Sequence, residues 1–260
     1  MPNYILDQSF PSERDRLEAM ARTWDPGTLR IIGELGIGKG SRCLEAGAGT
    51  GSIARALAGI VGTGGEVLAV DRDTRFLDDL PAPAEVLRAD LMTGDLPAAR
   101  FDLVHARLLV AHLHPHSLAL QRLAAAVAPG GRLLVEEVDW THAGQVEPPE
   151  PGHAAMIASL TEVMTGFDAT YGRRLLGDVL DLGFTDVSAH YRGAQSGHEK
   201  AWLPWQLLVE QFQDRIVHNG LMSAAQVEHW WSLSRARAHL VTGPALFAVR
   251  ARRPPIPMDR

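Results

Sequence analysis

One cysteine, Cys43, is all that the 260 residues contain. A lone thiol closes no disulfide within the chain, and its place in an apolar run makes it a packing residue rather than a reactive one. That usage fits a reducing cytoplasm. Long apolar runs are missing too: none approaches the ~20 residues that a membrane-spanning helix needs. Residues 1–16 lack the basic flank and apolar stretch of a secretory signal. Positive charge is scarce beside negative, 25 Lys and Arg against 31 Asp and Glu, for a net charge of −6. With no basic stripe to neutralise phosphates, a nucleic-acid partner is disfavoured. Internal repeats and low-complexity segments are absent as well.

What remains is an ordinary globular composition, 46% apolar and 22% charged. The chain is long enough for one α/β domain with an elaboration, or for two small domains. Helical spacing over 11–23 puts Leu17, Met20 and Ala21 on one side and charges elsewhere. Asp25-Pro26-Gly27 should end that helix, and a second short one follows over 28–35. Alternation then begins: strand 42–46, helix 51–60, strand 66–71, helix 73–80, strands 84–88 and 101–105, helix 116–128, strand 131–138. Pro129-Gly130-Gly131 reads as the break between the last two. After a Pro- and Glu-rich loop over 145–152 come helices 153–166 and 173–182, a strand 184–191, two helices within 199–239, and a strand 245–250. A Pro-rich tail that should fray ends the chain. Strands alternating with helices imply a mostly parallel sheet with right-handed crossovers.

The most informative stretch is Leu44-Glu45-Ala46-Gly47-Ala48-Gly49-Thr50-Gly51-Ser52, a strand running into a glycine turn that opens a helix. Twenty residues after Gly51, Asp71 ends the next apolar run, where a carboxylate can accept hydrogen bonds from a ribose. Nicotinamide enzymes share this geometry. Their fingerprint wants Gly or Ala at position 52, where this chain has Ser52, and none of its tyrosines (4, 171, 191) has a lysine four residues on. An NAD(P)-dependent oxidoreductase is therefore the weaker alternative.

The acidic-x-Gly-x-Gly-x-Gly pattern, Glu45 to Gly51, resembles that of the class I S-adenosylmethionine-dependent methyltransferases. Tyr4-Ile5-Leu6-Asp7, Glu13-Arg14 through Thr28, and Phe101 through Arg107 are similar to a bacterial, often actinomycete, small-molecule subgroup of secondary metabolism. That subgroup is itself loosely similar to the ubiquinone/menaquinone methyltransferases. The likeness covers residues 1–140 well and the rest only in outline. It implies one Rossmann-like α/β domain, with a seven-stranded, mostly parallel sheet, helices on both faces and an antiparallel last strand. Residues 1–40 would form an N-terminal helical cap, 41–140 the cofactor core and 141–260 the substrate side, with a helical lid at about 199–239. The implied cofactor is S-adenosylmethionine, leaving as S-adenosylhomocysteine. Its binding residues would be Glu45, Gly47, Ala48, Gly49 and Gly51, then Asp71 and Arg72, then Asp90 and Leu91 at the adenine, then His105 and Arg107 beside the methionine part. Each has a plainer reading: Asp71 and Asp90 as helix caps, the glycines as a tight turn, Arg107 as an ion-pair partner of Glu45 or an anchor for an acidic acceptor.

Methyl transfer needs positioning and exclusion of water more than it needs acid–base groups. If the acceptor must lose a proton, His112 is the first choice of base; His114 and His116 read as structural. The alternate histidines make no metal site, because Pro115 interrupts them. Glu137 and Asp139 share a face at the end of the fifth strand, opposite Glu136, and one of them is a second choice for orienting an acceptor. Trp202, Trp205, Trp230 and Trp231 read first as core, or as contacts between two copies in a homodimer. The alternative is an aromatic wall built by Trp202, Trp205 and Trp140 over a flat acceptor, completed by Tyr4 and Trp24. The function expected is methyl transfer to a small aromatic or heterocyclic metabolite, indole- or polyketide-like, at C, O or N. The rival is a methyltransferase-like protein that binds the donor without transferring methyl, as a pericyclase, carrier or regulator.

Overall fold

The run Arg42–Ala46 forms β1, and its two faces set the plan of the molecule. In the computed structural model, which describes residue 6 and residues 10–193, 195–196, 199–236 and 239–255, Leu44 and Ala46 pack on one side of the sheet and Cys43 on the other. Strands buried on both faces need helices on both faces. Beneath Leu44 lie α3 (His116–Ala126) and α5 (Gly172–Leu180). Around Cys43 lie α1 (Glu13–Glu34) and α2 (Ser52–Val61). Helix α2 turns Ile53, Ala54, Leu57, Ala58 and Val61 inward, one stripe at helical period.

The other strands are β2 (Glu66–Asp71), β3 (Ala84–Arg88), β4 (Phe101–Arg107), β5 (Val127–Asp139), β7 (Thr185–Arg192) and β10 (Ala245–Arg252). They form a seven-stranded sheet in the order β3-β2-β1-β4-β5-β10-β7. Strands β1 to β5 are parallel neighbours, and β10 runs antiparallel to both β5 and β7. The seven-stranded, mostly parallel α/β sheet is the expected one. A second apolar cluster joins α4 (Pro151–Val163), α6 (Glu199–His218) and α7 (Ala224–Arg235) around Met156, Leu160, Trp202, Phe212 and Trp230. Beside it, β6 (Val146–Glu147), β8 (Gln195–Ser196) and β9 (Leu240–Thr242) make a small sheet that the sequence pattern did not announce.

Three local expectations are corrected. The helix does not stop at Asp25-Pro26-Gly27: α1 runs through Pro26 to Glu34. The Trp24 carbonyl, one turn before Thr28, accepts from Thr28 Oγ1 at 3.2 Å and from the Arg192 guanidinium at 3.4 Å. That guanidinium also fills the space where a side chain at Gly27 would lie, so tertiary packing holds the turn around the proline, whose missing N–H costs the helix only the bond to the Arg22 carbonyl. Residues 73–80 form turns instead of a helix. Asp73 Oδ1 accepts from the Arg75 amide at 3.2 Å, the local competition that draws Asp out of helices, and Leu77 is pulled into the α2 cluster. Pro129-Gly130-Gly131 lies inside β5, where the pairing with β4 skips from Phe101–Val127 to Leu103–Arg132. Gly131 sits there with the Phe101 and Ala128 carbonyls within 2.9 Å of any added Cβ, so it closes a bulge.

Candidate active site

Parallel strands that reverse order leave a crevice at their carboxyl ends. In this molecule the crevice lies between β1 and β4 and opens into a cavity of about 730 Å³, a volume in the range of small-ligand sites. Its floor is the glycine turn. Gly47, Gly49 and Gly51 have φ of +73°, +56° and +76°, a left-handed conformation that other residues adopt at a cost. Gly47 and Ala48 donate to the Val70 carbonyl at 2.8 and 3.1 Å. Gly49 donates to Asp71 Oδ2 at 2.9 Å, and Asp73 donates to Asp71 Oδ1 at 3.0 Å. The turn and the end of β2 are thus one unit, and burial pushes the Asp71 carboxyl up while those amides pull it down. Asp90 Oδ1 takes the Met92 amide at 2.8 Å, and Leu91 is buried beside it.

Glu45, Gly47, Ala48, Gly49, Asp71, Arg72, Asp90, Leu91 and Arg107 all line the cavity. Gly51 and His105 do not. Gly51 faces Leu77 and Leu80, where it permits the turn into α2. His105 lies fully buried beneath the floor. Its Nδ1 is 2.5 Å from Glu45 Oε2 and its Nε2 is 3.2 Å from Glu136 Oε2. Burial lowers an imidazole's affinity for a proton, but the two carboxylates outweigh it and raise His105 to about 9. Glu136 is buried as well, yet His105, Arg192 and Thr28 hold it down at about 2. The network continues: Thr28 Oγ1 donates to Glu136 Oε2 at 2.5 Å, and Arg192 pairs with Glu136 Oε1 at 2.8 Å. Arg107 reaches Thr28 at 2.9 Å and Asp25 at 2.6 Å. The Arg107 partner is therefore Asp25, not Glu45.

The opposite wall is aromatic. Trp24, Trp140, Phe167 and Trp205 line it, with Trp140 edge-on to Phe167 at 5.2 Å and to Trp205 at 5.1 Å. His112 stacks on Phe167 at 4.6 Å. Burial, helped by the nearby Arg16 charge, depresses its imidazole to about 3. A base so weak takes little part in proton removal near neutrality. His114 and His116 contact backbone: His114 Nε2 lies 3.0 Å from the Gly166 carbonyl and His116 Nδ1 2.7 Å from that of Leu113.

The remaining candidates are placed elsewhere. Trp202 does not reach the cavity; it packs edge-on to His153 at 5.1 Å within the α4–α6–α7 cluster. Trp230 lies in the same cluster and donates from Nε1 to His153 Nδ1 at 3.1 Å. Glu137 and Asp139 share a face as expected, but it is not the cavity face. Glu137 Oε1 accepts the Leu109 and Val110 amides at 2.9 and 2.6 Å, and burial pushes its carboxyl up to about 8 against their pull. It holds the 3-10 turn Val110–His112. Asp139 is bracketed by Arg173 at 2.6 and 2.8 Å, which with Thr141 outweighs its burial and holds it low. Tyr4 lies outside the described residues.

Comparison with known proteins decides the family. A methyltransferase-domain model matches residues 16–234. The chain belongs to the class I S-adenosylmethionine-dependent methyltransferases. The methyltransferase str2 of Strobilurus tenacellus is 30% identical over 174 residues, covering 62% of this chain and 59% of that protein. The chain thus spans about three fifths of the length of that curated relative. Among solved structures, phosphoethanolamine N-methyltransferase 2 of Haemonchus contortus, in complex with phosphomonomethylethanolamine and S-adenosylhomocysteine, aligns with a TM-score of 0.57 at 19% identity. That match covers 89% of this chain and 53% of the other. The cyclase SpnF aligns with a TM-score of 0.57 at 18% identity, over 89% and 81%. At those identities the likeness is one of fold.

S-adenosylmethionine is the methyl donor of the family, and the cavity fits it on its own chemistry. The Asp71 carboxylate spends acceptor positions on the Gly49, Asp73 and Arg72 amides, out of about four that it offers. That leaves capacity on the cavity side for a ribose diol. Among the described residues, no group of three or more His, Cys, Asp or Glu stands ready for a metal ion, and no helix is long and apolar enough to cross a membrane.

Proposed function

We propose that this methyltransferase acts on a small, apolar, aromatic metabolite, with S-adenosylmethionine as donor. One observation supports this most: a single cavity runs from the glycine turn and Asp71 to the wall of Trp24, Trp140, Phe167 and Trp205. Flat apolar faces bind flat apolar molecules, and tryptophan provides them at low entropic cost. In this reading Glu45, Gly47, Ala48, Gly49 and Arg72 hold the donor's amino-acid and ribose parts with Asp71. Asp90 and Leu91 hold the adenine. Bound there, the donor supplies a methyl group on a positively charged sulfur.

The chain's own part is to orient the acceptor and keep water out. Helices α1 and α6 do this from above, and they touch where Ser12 Oγ donates to Glu210 Oε2 at 2.9 Å. Helix α6, which brings Pro204, Trp205 and Leu208 to the cavity, serves as the lid. With His112 held neutral and Glu137 and Asp139 engaged elsewhere, an acceptor that needs no proton removed is favoured.

Calorimetric titration with S-adenosylmethionine, followed by a screen of aromatic acceptors for S-adenosylhomocysteine release, tests the reading. Micromolar donor binding with acceptor-dependent release is expected. Donor binding without release from any acceptor would move the pericyclase or regulator reading ahead.

A further inference from the structure

His105 does not line the cavity, yet it is bonded to a residue that does. Glu45 lies at the end of β1, two residues before Gly47, and lines the cavity while only 4% exposed. The register of β1 with β4 sets it opposite His105, whose Nδ1 is 2.5 Å from Glu45 Oε2. The other oxygen, Oε1, has no hydrogen-bond partner among the described residues. On the far side of the ring, Nε2 is 3.2 Å from Glu136 Oε2. Glu136 is itself pinned, by Thr28 from α1 at 2.5 Å and by Arg192 from β7 at 2.8 Å.

Counting donors and acceptors fixes the state of the ring. Ionised carboxylates only accept hydrogen bonds, so an imidazole that meets one at each nitrogen donates from both and is a cation. Its charge and that of Arg192 then balance Glu45 and Glu136, as Arg107 balances Asp25 beyond Thr28. A carboxylate taken out of water needs a partner to keep its charge, and a site residue needs a support to keep its direction. His105 gives Glu45 both, and leaves Oε1 unspent.

We propose that His105, an imidazolium clamped between Glu45 and Glu136, is the positioning residue for the amino end of the donor: it holds Oε2 of Glu45 so that Oε1 meets the donor's ammonium group. This deepens the reading of Glu45 given above and rests on it. His105 touches no substrate and acts only through Glu45.

The test compares two probes on the whole protein by calorimetry. One is S-adenosylhomocysteine; the other is methylthioadenosine, which shares its nucleoside and sulfur but has no amino-acid part. The wild-type protein should bind the first about tenfold or more tighter. The variants His105→Gln and His105→Asn both remove the charge but keep different arms, since a Gln amide reaches the place of Nε2 and an Asn amide that of Nδ1. His105→Gln should cut the preference below about threefold and leave methylthioadenosine unchanged. His105→Asn still donates to Glu45 and should keep most of it. A merely structural role would weaken both probes, and both variants alike. The wild type alone supplies a further readout: nitrogen NMR at pH 8 should show an imidazole protonated at both nitrogens, with a signal that moves on adding S-adenosylhomocysteine and not methylthioadenosine. Equal binding of the two probes by the wild type overturns the proposal. So does a preference that survives His105→Gln, an equal loss in the two variants, or the lack of a doubly protonated ring. If S-adenosylhomocysteine fails to bind the wild type, the donor reading falls and takes this one with it. If it binds and that ring does not respond, this one falls alone.

Discussion

His105, fully buried, and Asp71, half-buried at the floor of the cavity, each make a different demand on charge. His105 sits between Glu45 and Glu136 with its proton affinity raised to about 9, against about 6.5 for a free imidazole. A folded-state value above the unfolded one stabilises the protein fully below about pH 6.5, and that stability is lost as the pH rises through about 9. Thermal melts stepped from pH 6 to 10 should therefore show a declining midpoint in that window, and His105→Gln should flatten the decline. At Asp71 the charge is spent on amides and, in our reading, on a ribose. Asp71→Ala should cost about 1–3 kcal/mol of donor affinity by calorimetry; unchanged affinity in a folded variant would remove the assignment. Much of the donor floor was legible because Glu45, the glycines, Asp71 and Asp90 fall at strand ends in a regular order. The cavity face of α1 was less so. The positions 13, 16, 17, 20 and 24 lie on one helical face, a spacing that sets Glu13 and Arg16 among the apolar residues. Placing the charges of this helix away from the side of Leu17 and Met20 missed them. Arg192 had no local signal at all: it arrives from β7, far along the chain.

Helix α5 meets β5 more closely than any side chain would allow. A Cβ on Gly172 would lie 2.6 Å from the Glu137 carbonyl and 2.9 Å from that of Val138. Both are backbone atoms of a paired strand and cannot swing aside. Gly172→Ala should then cost about 1–3 kcal/mol, the range for overpacking, read as a shift in the urea midpoint at constant slope. Because Glu137 and Val138 end the strand beneath the cavity, the same variant should also loosen the Val110–His112 turn. At this scale, legibility followed how local the cause was. Strand β1 and helix α2 come from apolar runs that need no partner to be recognised. Helix α1 runs through Pro26 with Arg192, from far along the chain, packed against Trp24 and Gly27, and the sheet of β6, β8 and β9 forms from two- and three-residue strands. No window of sequence contains either cause.

For the molecule as a whole, donor binding and stability are linked. A ligand that binds only the folded state, present at 100 times its Kd, adds about 2.7 kcal/mol. For a chain of this size that raises the melting midpoint by about 5–10 °C. Differential scanning fluorimetry should show the rise with S-adenosylhomocysteine and none with NADH. The order of the strands carries a separate consequence. Strand β10 is the last along the chain, yet it lies between β5 and β7, and pairs Ala245 with Asp139 across 106 residues. During synthesis, the open edge of β5 must wait for that stretch to be made, ~5–20 s at ordinary elongation rates. Through that interval the nascent chain presents an apolar strand with no neighbour on one side, which makes the newborn protein, more than the finished one, a client for a holding chaperone.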